Sequence, residues 1–380
     1  VTGAGAAARV HLNTAGAGRL PAEALARMTA YLAEEAATGA YETEAAHADF
    51  LQHGIYRQIG DLVGADPADV ALFDNATRGW ITVIPRLAFR PGERIWITPY
   101  EYAGSLIALH RLAARDGLTI ETVPIDGEGD LDLDWMRRSL DDQVALVSVV
   151  HVPSGCGIVH PIEAIGEVLR GGRAVYAVDA CQSVGQVEID VRRAGCDLLT
   201  AAGRKFLAGP RGTGFAVVRE ALRRRIVLPL HDLHAARVTA PDRHEVTDRT
   251  ARGLELEERN FAGLVGLGAA IEVNRRRDAA AQQGRYDALL EGLGRMPGIR
   301  LLAPGRRRAG IASFVHDRLP ARALRAALAG RGIDTWVAIG HHTPIWMARQ
   351  GVTEALRVSP GADTTDADME RFLEALTAIT

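Results

Sequence analysis

Residues Arg173 to Gly214 read RAVYAVDACQSVGQVEIDVRRAGCDLLTAAGRKFLAGPRGTG, and this stretch decides the fold. An apolar strand, RAVYAV, ends on the acid of DACQS, and a second short strand, DLLTA, leads into GRKFLAGPRGTG. Asp179 and Lys205 thereby fall just past the ends of two neighbouring strands. In an open α/β sheet, ligands bind in the crevice at the carboxyl ends of strands. An acid and a lysine aimed into one such crevice suit pyridoxal phosphate, whose aldehyde needs an amine and whose ring nitrogen needs a carboxylate. Taken singly, either residue is ordinary: an Asp after a strand is common, and most lysines are solvated. The turn that follows Lys205, with Gly209, Pro210, Arg211, Gly212 and Gly214, is built to hold backbone close to a ligand.

Working outward, strand-like apolar runs alternate with helical patterns from about Val70 to Arg219. The candidate strands are VALF, RIWIT, LTIETV, VALVSVV, RAVYAV, DLLTA and GFAVV. Such alternation predicts a mostly parallel sheet with helices on both faces. The segment from Arg223 to Arg252 is rich in charge and His with weak periodicity, and reads as a crossover. A long helix begins near Asn260, where FAGLVGLGAAIEV presents small residues suited to close packing. RAGIASFV, a helix over Ala321–Ala329, GIDTWVAI, ALRVS and a last helix from Thr365 suffice for a second, smaller α/β unit. A chain of 380 residues exceeds one core, since single cores stop growing near about 250–300 residues. The expected division is a large domain over 15–255 and a small domain made of 1–14 with 256–380.

Composition narrows the function classes. A hydrophobic share of 47% with 24% charged residues is that of a soluble enzyme, and no apolar run reaches the roughly 18 residues that read as a membrane span. The opening VTGAGAAARV reads as a loose end rather than a secretory leader. A net charge of -3, with no basic block interleaved with aromatics, argues against a nucleic-acid partner. Arg306–Arg308 reads as a solvated turn. Three cysteines, Cys156, Cys181 and Cys196, lack paired spacing, which argues against a disulfide framework or zinc site and fits a reducing cytoplasm. No metal is expected from His341–His342 or from His231 with His234, because no carboxylate–histidine motif accompanies them.

Other turns carry chemistry. LNTAGAG over Leu12–Gly18, which includes Asn13, is a small-residue turn able to approach a ligand or simply to lead into the helix at Pro21. In DNATRGW, Asn75, Ala76 and Thr77 open a helix. Free N–H groups and a hydroxyl there suit a phosphate, whereas Asn75 alone reads as a cap. Tyr102 of PYEYAGSL starts another helix on the same rim, where its ring either stacks on a flat cofactor or packs on its own helix. Ser154 of HVPSGCG and Gln182 offer polar groups to a ring oxygen. His341, His342, Trp336, Trp346 and His231 are candidate substrate-pocket residues.

Together, NAT, DACQS and GRKFLAGPRGTG, in this order, resemble the class V aminotransferase family of fold type I pyridoxal-phosphate enzymes. That family includes cysteine desulfurases, isopenicillin N epimerase and the carbon–sulfur lyases of ergothioneine biosynthesis. The resemblance runs from LNTAG to LRVSPGADTTDADMERFL. It implies an α/β fold of the type I transferases, a mostly parallel sheet with a smaller C-terminal α/β domain, and a homodimer. It also implies that Lys205 binds the cofactor and later moves the α-proton, that Asp179 pairs with the ring nitrogen, and that Tyr102 stacks on the ring. Ser154 and Gln182 then contact the ring oxygen, Ala76 and Thr77 hold the phosphate, and Arg357 of LRVS takes the substrate carboxylate. Asn13 and His341 complete the expected substrate side.

The chain departs from its relatives at three places. A Ser three residues before the lysine and a His directly before it are replaced by Ala202 and Arg204, so Arg204 is the expected substitute on the phosphate. A Gly-Thr pair that reaches a neighbouring subunit's phosphate is replaced by LEERNF, with Arg259 or Asn260 as substitutes. No cysteine follows Cys196, which disfavours a desulfurase that accepts sulfur as a persulfide. RKFLAGPRG and the Glu-Tyr of PYEY look most like the ergothioneine-type lyases. The expected reaction is β-elimination from an S-substituted cysteine, with transamination, epimerisation or decarboxylation-linked deamination as alternatives and a non-catalytic cofactor-binding module as a more distant one.

Overall fold

The computed structural model describes residues 9–226 and 232–380. Its first eight strands are β1 (Val10–His11), β2 (Val70–Phe73), β3 (Arg94–Ile97), β4 (Thr119–Thr122), β5 (Val144–Val150), β6 (Val175–Asp179), β7 (Leu198–Ala202) and β8 (Gly214–Val218). Strands β2 to β8 form one seven-stranded sheet in the order β2-β8-β7-β6-β5-β3-β4. Strand β8 runs antiparallel to β2 and β7, and every other pair is parallel. The mostly parallel sheet expected from the alternating pattern is therefore present, and each of the seven apolar runs contributes one strand.

The runs are continuous rather than alternating because both sheet faces are covered. Successive side chains point to opposite faces. Trp96, Val147, Val178, Leu199 and Phe215 enter one core, while Ile95, Leu146, Ala177, Leu198 and Ala216 enter the other. On the first face lies the helix Phe261–Arg275, whose buried side is mainly Ala, Gly, Leu and Ile. It packs against the helix Ala22–Thr38, and the approach is close: a Cβ at Gly266 would lie 2.4 Å from Met28 Sδ. The small residues of FAGLVGLGAAIEV serve that contact.

A second, four-stranded antiparallel sheet follows, in the order Ile299–Leu301, Ala312–His316, Glu354–Val358, Trp336–Ile339. Leu289, Phe314, Leu324, Leu356 and Phe372 fill its core beneath the helices Ala279–Gly294, Ala321–Gly330 and Asp366–Thr377. Thr365 starts the last helix with a capping box: its hydroxyl accepts from the Asp368 N–H at 3.2 Å, and Asp368 Oδ2 accepts from the Thr365 N–H at 2.9 Å. Strand β1 pairs in parallel with Ile333–Asp334, and Asn13 bridges to Ser359. Residues 10–13 are thus held against the C-terminal unit.

The stretch read as an irregular crossover differs. It contains a hairpin of Ala236–Ala240 and Arg243–Val246. Its residues are largely exposed, so its pattern lacks the apolar periodicity by which strands are recognised. His231 lies outside the described residues.

Candidate functional site

The rim follows from strand direction. Strands β2, β3, β5, β6 and β7 end on one edge of the sheet, and antiparallel β8 begins there, since Gly214 is the register partner of both Phe73 and Ala202. Gly214 permits the approach: a Cβ on it would lie 2.9 Å from the Asn75 carbonyl carbon and 3.0 Å from the Ala76 nitrogen. This brings the helix opened by Asn75 against the loop that carries Lys205.

A cavity of about 320 Å³ opens on this edge. Its lining includes Ala76, Thr77, Tyr102, Ser154, Asp179, Gln182, Arg204 and Lys205, eight positions singled out from the sequence. Such a volume lies at the lower end of the range of ligand clefts. Trp80, Ser105, Thr200 and Thr213 also line it; the first three lie inside two helices and strand β7, where nothing local marked them, while Thr213 belongs to the GPRGTG turn already singled out.

Asp179 is the last residue of β6, and its Oδ1 accepts the Cys181 N–H at 2.8 Å. Lys205 lies in a turn closed by the Ala208 N–H donating to its carbonyl at 2.9 Å. Ala208 has φ 55°, a left-handed conformation that costs a non-glycine residue about 1–2 kcal/mol and is retained here beside the lysine. Asp179 and Lys205 both act on the Cys181 thiol, whose pKa is pushed up first by burial and then by the Asp179 charge, with Lys205 opposing.

Asn75 Oδ1 caps its helix by accepting the Arg78 N–H at 2.8 Å, which leaves the Ala76 and Thr77 amides of the first turn outside the cap. Gln182 is 3% exposed, its Nε2 donates to the Ala15 carbonyl at 3.0 Å, and its Oε1 is buried without a partner. A buried orphan acceptor costs free energy unless a ligand or water meets it. An unpaired amide oxygen, helix-terminal N–H groups, a carboxylate and an amine around one cleft form a donor set that fits pyridoxal phosphate.

The substrate side is assembled next to this cavity. Arg357 of the strand Glu354–Val358 donates through Nη2 to Asn13 Oδ1 at 3.2 Å and through Nη1 to the Ser154 carbonyl at 3.1 Å. It is 7% exposed. Its pKa is drawn down to about 10, by burial first and then by the Arg204 charge. His341 and His342 lie on a turn beside it, with ring centroids 4.5 Å apart, and the His342 ring is 6.4 Å from that of Tyr102. Burial lowers the His342 pKa, and the His341 and Arg357 charges add to this.

Other expectations meet different surroundings. Trp346 is buried against Tyr100, 4.8 Å between ring centroids, and Trp336 lies beneath the Arg325 guanidinium at 4.4 Å; neither lines the cavity. Arg259 donates to Glu255 Oε2 at 2.6 Å and to the Tyr56 hydroxyl oxygen at 2.9 Å, while Asn260 caps the helix Phe261–Arg275. Glu101, buried behind the rim, accepts from Thr98 Oγ1 at 3.2 Å and Ser148 Oγ at 3.3 Å. Burial, reinforced by the Asp179 charge, pushes its pKa up to about 8, with hydrogen bonds from Thr98 and Ser148 opposing.

Comparison with known proteins agrees with this architecture. The family model for class V aminotransferases matches residues 10–372. A cysteine desulfurase of Cereibacter sphaeroides is 30% identical over 388 residues, covering 98% of this chain and 95% of that protein. A probable cysteine desulfurase of Pseudomonas aeruginosa is 30% identical over 325 residues, covering 83% and 79%. Among solved structures, the apo cysteine desulfurase of Thermococcus onnurineus NA1 superposes with a TM-score of 0.89 at 23% identity, covering 98% of this chain and 94% of that one. The cystine C-S lyase C-DES in complex with its product, cysteine persulfide, gives 0.85 at 23% identity, covering 97% of each chain. These structural likenesses report on the fold. With the match spanning nearly the whole sequence, and the carboxylate, lysine and helix terminus gathered at one sheet edge, the chain belongs to the class V aminotransferase family of pyridoxal-phosphate-dependent enzymes.

Proposed function

We propose that this enzyme is a carbon–sulfur β-lyase that cleaves an S-substituted cysteine, with water, to a thiol or sulfenate, pyruvate and ammonia. The observation that carries the reading is the state of the thiols. Cys156, Cys181 and Cys196 are all free and at most 9% exposed, with Cys181 on the cavity wall, and burial raises all three pKa values, those of Cys156 and Cys196 to about 12. Accepting sulfur as a persulfide takes an accessible thiolate. Elimination takes none.

Bound pyridoxal phosphate supplies the electron sink for the pair left when the substrate's Cα–H bond breaks. In this reading the Ala76 and Thr77 amides hold the phosphate at a helix N-terminus. Asp179, with Oδ1 on the Cys181 N–H, keeps the ring nitrogen protonated through Oδ2. Tyr102 covers the ring face, while Ser154 and Gln182 meet the ring oxygen. The Arg357 fork takes the α-carboxylate in a bidentate grip. Lys205 Nζ would take the α-proton, and the sulfur substituent would leave Cβ with the C–S bonding pair as the Cα=Cβ bond forms.

The named relatives favour a second reading, sulfur transfer from cysteine with alanine as product. A panel of S-substituted cysteines, sulfoxides included, decides between them: pyruvate formation supports elimination, and its absence throughout the panel contradicts it. The reading includes a cytoplasmic homodimer, checked by light scattering of the purified protein.

A further inference from the structure

A second cavity, of about 790 Å³, shares no lining residue with the first. Arg275, Arg277, Arg306, Arg307 and Arg308 line it, so the run read from the sequence as a solvated turn borders a concave surface. Two of these arginines are matched by acids: Arg275 donates to Asp61 Oδ2 at 3.1 Å, and Arg306 to Asp126 and Asp130 at 2.7 Å each. Arg277 and Arg308 meet neutral acceptors instead, Gln282 Oε1 at 3.2 Å and the Ala303 carbonyl at 3.1 Å. Among the described residues Arg277, Arg307 and Arg308 have no carboxylate in ion-pair contact. Arg277 is half-buried, and that burial draws its pKa down from the ordinary arginine value. A guanidinium taken out of water without a counter-ion is costly. The two carboxylates of the lining are engaged elsewhere: Glu188 accepts from Arg193 at 2.9 Å and Asp287 from Gln283 Nε2 at 2.9 Å. The helix Ala279–Gly294 begins on the same wall. Asp278 caps it through the Ala281 N–H at 2.9 Å, which leaves the Ala279 and Ala280 amides of its first turn outside the cap.

We propose that this cavity is a second ligand site, which takes a phosphoryl group through Arg277, Arg307 and Arg308. Three guanidinium groups and two helix-terminal amides offer more donors than the two oxygens of one carboxylate accept, and the three oxygens of a phosphoryl group match them better. Planar guanidinium forks suit such oxygens in pairs. The volume lies well within the range of small-molecule clefts and exceeds what a lone phosphate fills. Val63, Val187 and Ile189 on the lining give an organic body its apolar wall. The ligand is therefore a phosphorylated small molecule. Its site is independent of the chemistry at Lys205 and stands whether the enzyme eliminates or transfers sulfur.

The test is isothermal titration calorimetry of the cofactor-loaded protein, dialysed free of excess cofactor, with pyrophosphate and with adenosine 5′-diphosphate. The cofactor's own phosphate site is filled in this sample, and no turnover is required. Both probes should bind saturably, the adenosine diphosphate more tightly because it also covers the apolar wall. Arg277→Gln and Arg307→Gln should each weaken binding roughly ten- to hundredfold, the worth of one hydrogen bond to a charged group. Arg307 is exposed, so its replacement tests the site without disturbing the core. Saturable binding of neither probe overturns the proposal. Affinities that both variants leave unchanged also overturn it, because the anion then sits elsewhere, for example at Arg357. Equal affinities for the two probes, lost together in the variants, keep the phosphoryl site and overturn the organic body, assigning the site to the free inorganic anion.

Discussion

The Arg357 guanidinium donates to Asn13 Oδ1 at 3.2 Å, joining a strand of the C-terminal sheet to the loop before the first helix. Among the described residues the side-chain partners of Arg357 are Asn13 and the Ser154 carbonyl, and in the proposed reading this buried residue takes the substrate carboxylate. Replacing it with Ala is expected to weaken amino-acid binding by about 3 kcal/mol, roughly a hundredfold. Lys at this position restores charge but not the planar fork and should recover only part. Titrating amino acid against the cofactor's absorption measures both.

Lys205 is the expected covalent anchor. Borohydride reduction of the loaded protein should fix the cofactor to Lys205, located by peptide mass spectrometry. Lys205→Ala should lose both the reduced adduct and pyruvate formation.

Glu101 supplies a pH signature. Its folded-state pKa, about 8, lies above the ordinary carboxylate value. Between about pH 4.5 and pH 8 the folded chain therefore holds a proton that the unfolded chain has released, and stability falls as pH rises through that window. Gln keeps the acceptor for Thr98 without titrating. Urea unfolding at pH 5 and pH 8 should show Glu101→Gln gaining on the wild type by about 1–3 kcal/mol at the higher pH. An equal difference at both values contradicts a protonated Glu101.

Glu255 accepts the Leu72 N–H at 2.8 Å, the Tyr56 hydroxyl at 2.7 Å and Arg259 at 2.6 Å. Glu255→Ala leaves the largely buried Arg259 without its carboxylate and should destabilise the fold by about 2–4 kcal/mol, seen as a lower urea midpoint.

If no thiol takes part in the chemistry, Cys156→Ala, Cys181→Ala and Cys196→Ala should each retain pyruvate formation, at a modest stability cost of about 1 kcal/mol for the lost volume. Loss of activity in one variant that remains folded and cofactor-loaded would show that its sulfur participates.

The central sheet was legible because strands buried on both faces must be apolar throughout, as in VALVSVV. The rim was legible because strand ends that meet a ligand carry residues with no reason to be in the core, such as Asp179. The hairpin of Ala236–Val246 was not, since exposed strands such as ARVTA need no apolar face. Trp346 and Trp336 read as pocket aromatics because an aromatic side chain suits a core, a surface or a ligand equally well; only tertiary packing places them on Tyr100 and under Arg325. Glu255 stands four residues before Arg259, but the bond of Arg259 to Tyr56, some two hundred positions away, is not revealed by spacing.

The most direct test of the account is the product balance from one S-substituted cysteine, with thiol, pyruvate and alanine quantified together. Elimination predicts thiol and pyruvate in equal amounts with no alanine. Alanine in place of pyruvate would contradict it and assign the enzyme to sulfur transfer.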